Sequence, residues 1–390
     1  MTRRAASLAA VSTGLGLALF AFAPPARTAS RASFKGLGTL DPTAAPAGSW
    51  ASGVSGDGRT VVGTSYVFDG TSTQTRAFVW TAKKGMTDLG LPAGSLASAS
   101  ASGVSDDGSL VSGADGFTIG GALEIRNAVY WSQTGGTPFS KILAEGLAAT
   151  DVSGDGRIVT GATRIPAPWP VVDKGFALVG LGTMHKIDTL PGGSYSWLEA
   201  SSKDGSVFAG WADTPDAITA VRWSRDAGLQ RLAGQAPGVP SQANGISADG
   251  RTIVGTVNVR AFAWTETGLL RMLGELPGGT TSTASDVSGN GGTIVGTADA
   301  DGRASAVVWD GAAGPRAIKD IAENDFGLDL TGWSLQAASA VSDDGRTITG
   351  WGINPSGLLE AWVFRRPASG PAVRPASFAR PTPRRAALTV

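Results

Sequence analysis

Between Trp50 and Phe364 the chain repeats one cycle of small, polar and bulky apolar positions. The first copy is ASGVSGDGRTVVG (Ala51 to Gly63). Aligned on Asp57, Asp107, Asp155, Asp204, Asp249, Asn290 and Asp344, the seven copies lie 41 to 54 residues apart. In every copy a serine stands two positions before this anchor, a bulky apolar residue four after it and a glycine six after it. Small residues before an Asp-Gly or Asn-Gly pair and bulky ones after it predict two antiparallel strands and a tight hairpin, because both turn residues tolerate positive φ. A third strand is expected at RAFVW (Arg76 to Trp80) and around Trp131, Trp223, Trp264 and Trp309, with Gly180 and Phe364 replacing the tryptophan in copies three and seven. A fourth is expected at MTDLGLPAG, IDTLPGG and MLGELPGG.

Four strands per repeat at this period predict an all-β fold, a seven-bladed β-propeller of four-stranded antiparallel blades. The small residues of the first strand suit the crowded axis, and the repeated tryptophan suits the wedge between blades. Copy seven ends at its third strand, AWVF (Ala361 to Phe364), while an orphan strand, FKGLGTL (Phe34 to Leu40), opens the ring region. Pairing the two closes the ring and removes a free sheet edge. The propeller is thus expected over 34–364, with long loops at 65–76, 115–127 and 163–175.

The pattern A-x-G-[IV]-S-x-D-G-x-x-[VI]-V-G, followed by A-F-x-W and L-G-x-L-P-G-G, resembles the HAF family of bacterial extracellular repeat proteins. The segment LDLTGWSLQAASAVSDDGRTITGWGINPSGLLEAWVF resembles the closing unit of such proteins. The resemblance implies export and a binding or surface role, and carries over no catalytic residue.

Charge sorts the rest of the chain into three parts. The 32 basic and 32 acidic residues cancel, but ten of the basic ones lie at 1–33 and 365–390, where no acid occurs, so the body carries 22 against 32. An acidic body disfavours nucleic acid, which needs clustered Lys and Arg. Arg3 and Arg4 before an uncharged Ala- and Leu-rich run (residues 5–23) and Pro24-Pro25 read as a secretory signal over 1–32. The expected location is secreted or periplasmic, with no transmembrane segment in the mature chain. Residues 365–390, with six arginines and five prolines, are expected to form a disordered tail. The absence of cysteine and the single histidine, His185, exclude thiolate chemistry and most histidine metal sites.

No cofactor or metal is expected. Ser-x-Asp-Gly reads as a turn lock, and Asp299-Ala300-Asp301-Gly302 as a turn, because an EF-hand loop would require glutamate where Asp310 stands. Near the axis, Asp151 and Asp286 occupy one repeat position in copies three and six, with Glu199 one position away in copy four. These acids line the central channel. Six tryptophans fall outside the third-strand pattern and Trp362: Trp50, Trp169, Trp197, Trp211, Trp333 and Trp351. Strand direction places all six, with Tyr195, toward the rim opposite the Asp-Gly turns, where they can stack on a ligand. The expected function is non-catalytic binding of a glycan or a cell-surface protein, by a monomer. The alternatives are a hydrolase or lyase acting on an extracellular polymer through Asp151, Asp286 or Glu199, and a structural surface protein.

Overall fold

The computed structural model describes residues 31–367, apart from 94, 96, 97, 120, 121, 134–138, 146, 147, 166–171, 181, 269, 312 and 313. The expected signal, save its last two residues, and the tail beyond residue 367 lie outside the described residues. The chain forms seven four-stranded antiparallel sheets. Their first strands are Ser49–Val54, Ser98–Val104, Ala148–Val152, Ser196–Ser201, Ser241–Ile246, Ser282–Val287 and Ser334–Val341, which define blades 1 to 7. These strands adjoin one another around a common axis, so the fold is a seven-bladed β-propeller. The face carrying the Asp-Gly turns is called lower, the opposite one upper.

Each turn is locked by the same three bonds. In blade 1 the Ser55 hydroxyl donates to Asp57 Oδ1 (2.6 Å) and accepts the Thr60 N–H (3.0 Å), while Asp57 Oδ1 accepts the Arg59 N–H (2.9 Å). Blades 2 to 7 repeat the set, with Asn290 in place of aspartate in blade 6. All seven serines are buried. Their hydroxyls therefore satisfy backbone groups that would otherwise be buried unpaired, and none is left to bind a ligand.

The repeated glycine has a different cause. Every inner strand carries a register shift near its middle, in blade 1 between Ala51 and Gly53. Such a bulge pushes the backbone toward its neighbour. A Cβ on Gly63 would meet the Trp50 carbonyl oxygen at 2.2 Å, and the equivalent distance is 2.0 or 2.1 Å in each of the other six blades. A large apolar side chain of the third strand pairs with the glycine from the other side, Phe78 in blade 1 and Trp362 in blade 7.

Ring closure follows the expected pairing. Ser33–Gly36 runs antiparallel to Leu359–Arg365, with Phe34 opposite Phe364 and Gly36 opposite Trp362. The Leu37 N–H extends the ladder to the Ala361 carbonyl at 2.8 Å.

Three local expectations need correction. In blade 3 the third-strand position facing the bulky second-strand residue holds Leu178, opposite Val159, and not Gly180, because the hairpin register places the glycine in the following turn. The loops at 65–76, 115–127 and 163–175 are mostly extensions of second and third strands, as in Thr60–Phe68 paired with Thr73–Thr81. Trp80, Trp131, Trp264 and Trp309 are buried as expected, whereas Trp223 is half-buried and stacks on Phe208 with ring centroids 5.1 Å apart. Between blades 6 and 7 a helical turn at Ile318–Asp325 buries Ile318, Ile321 and Ala322 against Val308, Trp362 and Phe364. No helix among the described residues is long and apolar enough to cross a membrane.

Candidate functional site

An inner strand has no sheet partner on the side facing the axis, and its backbone groups need partners there. Polar side chains at and beside the bulge supply some of them. Thr150 Oγ1 donates to the Leu198 carbonyl (2.7 Å), and Asn244 Nδ2 to the Ala284 carbonyl (2.8 Å), each reaching into the next blade. The two repeat-equivalent aspartates work in the opposite sense. Asp151 Oδ2 accepts the N–H and the hydroxyl of Ser201, both at 2.8 Å, and Asp286 Oδ2 accepts the Val341 N–H at 2.9 Å. Asp286 Oδ1 is also engaged, by the Val287 N–H at 2.7 Å. Asp151 and Asp286 are thus clamps from blade 3 to 4 and from blade 6 to 7.

These strands enclose an axial cavity of about 350 Å³, in whose wall Asp151, Glu199 and Asp286 all stand. Below them, Lys203 of blade 4 reaches across the axis to Asp106 of blade 2 and Asp343 of blade 7, the latter at 3.0 Å. Glycines at the same repeat position, Gly56, Gly154 and Gly289, leave room, since a Cβ on each would strike Asp106 or Asp343. Backbone bonds link neighbouring blades at this level, for example Asp106 N to the Gly154 carbonyl (3.0 Å) and Lys203 N to the Ala248 carbonyl (3.0 Å). The lower end of the cavity is therefore spanned by an ion triad inside a ring of backbone bonds.

Burial raises all three wall acids, Asp151 to about 6, Glu199 to about 7 and Asp286 to about 7. Their hydrogen bonds oppose the shift without cancelling it. An unfolded carboxyl ionises near pH 4, so between about pH 4 and 7 the folded chain holds more protons than the unfolded one. Stability from these groups is present at the acid side of that window and is lost as pH rises through it. Turn aspartates act the other way. Serine side chains hold Asp107 and Asp204 below the usual range, so their contribution disappears only as pH falls below about 4. The unfolding midpoint is expected to be about 5 °C higher at pH 5 than at pH 7.5, and calorimetry showing a flat or rising profile across that interval would contradict the burial argument.

Glu199 differs from the two clamps. It sits at the bulge of blade 4, and its side chain accepts a bond from an indole: Trp211 Nε1 donates to Glu199 Oε1 at 3.1 Å. Trp197 Nε1 is buried without a hydrogen-bond partner and lies close enough to the same carboxyl to favour its charged form. Trp197 and Trp211 are cross-strand partners, stacked at 5.5 Å with 5° between their planes, and Tyr195 meets Trp211 edge-on at 5.6 Å. All three rings are half-buried.

The other rim aromatics are distributed around the ring. Trp50 packs edge-on against Tyr66 in blade 1 at 5.2 Å, and Trp351 pairs with Ala337 and Ala361 in blade 7. Trp333 packs against Phe34 at 5.1 Å and so also supports ring closure. These three are half-buried, and Trp169 lies outside the described residues. The structure thus brings Tyr195, Trp197 and Trp211 together with Glu199, and places Trp50, Trp333 and Trp351 across the axis in blades 1 and 7.

Sequence reasoning missed two features. Phe68, Val259 and Leu358 are 45 to 50% exposed, each at or beside the tip of a second-to-third-strand hairpin on the upper face. Turn-flanking apolar residues were their only signal. A groove of about 1240 Å³ opens between blades 3 and 4 beside Trp223 and Ala177, while Leu178 packs on the other side of blade 3, against Leu110 and Tyr130 of blade 2. Asp299 accepts the Thr280 and Thr281 N–H groups, so it fastens a loop. Among the described residues no group of three or more His, Asp or Glu side chains is placed to hold a metal ion.

No family model and no curated protein matches the chain. Solved structures do match. The β-propeller domain of the trilobed protease from Pyrococcus furiosus, which has an open velcro topology, aligns with a TM-score of 0.51 at 11% identity over 82% of this chain and 95% of that one. The oligogalacturonate lyase from Vibrio parahaemolyticus aligns with a TM-score of 0.51 at 10% identity over 87% of this chain and 98% of that one. At such identities the likeness is one of fold: this chain is a seven-bladed β-propeller, here closed by its N-terminal strand.

Proposed function

We propose that the chain is an exported, monomeric, non-catalytic propeller of the HAF type that binds a glycan at its upper face. The observation that carries this reading is the Tyr195–Trp211–Trp197 stack, half-exposed and adjoining a polar axial cavity. Flat aromatic faces bind the apolar faces of sugar rings, and the neighbouring carboxyl supplies an acceptor for hydroxyl groups. Arg3, Arg4 and the apolar run at 5–23 support export. The excess of acids in the body disfavours a nucleic-acid ligand.

Catalysis by the wall acids is the weaker reading. Asp286 has both oxygens engaged by backbone N–H groups, and Asp151 Oδ2 holds Ser201 across a blade boundary, so both serve to join neighbouring blades. A purely structural surface protein predicts a uniformly polar rim, which the exposed Phe68, Val259 and Leu358 do not provide. On a glycan array spanning neutral, acidic and amino-sugar oligosaccharides, the purified chain is expected to bind at least one class. The double variant Trp197→Ala/Trp211→Ala is expected to lose about tenfold or more in affinity while still unfolding cooperatively. An array without binding, or a double variant that binds unchanged, overturns the reading.

A further inference from the structure

The axial cavity has a strong charge imbalance. Asp106, Asp151, Glu199, Asp286 and Asp343 face it, and among the described residues Lys203 is the one cation in its wall. Lys203 is committed to Asp106 and Asp343 at the lower end, and these carboxylates hold its ammonium above the ordinary range. The clamps Asp151 and Asp286 are bound to the next blade. Glu199 is left as the wall carboxyl that accepts the Trp211 indole N–H, and it has no basic neighbour among its hydrogen bonds and ion pairs. A carboxylate so placed is stabilised by an incoming cation, and electron-rich indole faces attract the same charge.

One further polar group stands beside Glu199. Trp197 Nε1 is buried without a hydrogen bond. Because the Lys203 triad spans the lower end, entry is from the upper face. About 350 Å³ accommodates one sugar unit rather than a polymer.

We propose that this pocket takes the ammonium group of an amino-sugar unit, with the charge at Glu199 and the ring against Trp197 and Trp211. This rests on the glycan reading above and narrows it to a cationic sugar. A neutral glycan would bring Glu199 no cation, an acidic one would be repelled by its ionised form, and a bare inorganic cation would not use the neighbouring rings.

Calorimetric titration of the full mature chain at pH 6.5 compares a tetramer of glucosamine with a tetramer of N-acetylglucosamine, which differ in whether the nitrogen carries charge. The glucosamine tetramer is expected to bind at least tenfold more tightly. Glu199→Gln, which keeps an acceptor for the Trp211 N–H, is expected to erase that preference. Equal affinities in the wild-type chain overturn the amino-sugar inference without needing any variant. If both tetramers bind equally and Trp211→Ala weakens both, the glycan face stands and only the ammonium site falls. If neither binds while a neutral or acidic glycan does, the ammonium site is again excluded. Binding of no glycan at all removes both readings.

Discussion

Gly255→Ala is expected to destabilise the ring by about 3–5 kcal/mol, among the larger effects a single methyl group produces. The added Cβ would lie 2.0 Å from the Gln242 carbonyl oxygen and 2.9 Å from Ala243 Cα, both backbone atoms of the bulged inner strand. Neither can rotate away as a flexible side chain would. Relief requires the inner strand to shift toward the axis, where it would disturb the Asn244 bond to the Ala284 carbonyl in blade 6. The third strand cannot give instead, because the buried Phe262 pairs with Gly255 from the other side. Gly182→Ala is the control, since the nearest atom to its Cβ is 4.0 Å away. Thermal unfolding with a midpoint within about 2 °C of the wild type for Gly255→Ala would show that the bulge is not the reason for the repeated glycine.

The second large effect concerns closure. A chain beginning at Gly38 lacks the strand that covers Leu359–Arg365, and it also loses Phe34, which contacts Trp333 and Trp362 at centroid distances of 5.1 and 6.1 Å. The exposed edge presents a ladder of unpaired backbone groups beside the apolar residues of blade 7. The midpoint is expected to fall by about 10 °C or more, because loss of the strand also exposes apolar surface. Size-exclusion chromatography is expected to show dimers or larger species formed through the open edge. A monomeric chain of unchanged midpoint would mean that three strands suffice for blade 7.

The fold was legible in the sequence because it is written seven times. A serine, a turn pair and a glycine at fixed spacing each answer one backbone requirement, and their coincidence identifies the blade even where single positions vary, as at Asn290. The register of blade 3 was less legible. Without the tryptophan landmark, only the hairpin pairing distinguishes Leu178 from Gly180.

The candidate site was legible only in outline. Asp151, Glu199 and Asp286 were recognisable as channel residues from their repeat positions, and they share one cavity wall. Their different roles depend on what the next blade offers, a free N–H for the clamps and a pair of indoles for Glu199. The Lys203 triad gave no pattern at all. The position before each anchor reads Gly56, Asp106, Gly154, Lys203, Ala248, Gly289 and Asp343, which looks unordered along the chain. Its complementarity appears only when blades 2, 4 and 7 face one another across the axis.

Each of the 12 tryptophans contributes one indole N–H, which makes the binding face directly observable. In a titration of indole-¹⁵N-labelled protein with the tightest-binding array glycan, the Trp197 and Trp211 signals are expected to move while those of the buried Trp80 and Trp309 stay fixed. Unmoved Trp197 and Trp211 signals at saturation, or shifts confined to Trp223 in the groove between blades 3 and 4, would contradict the upper-face account.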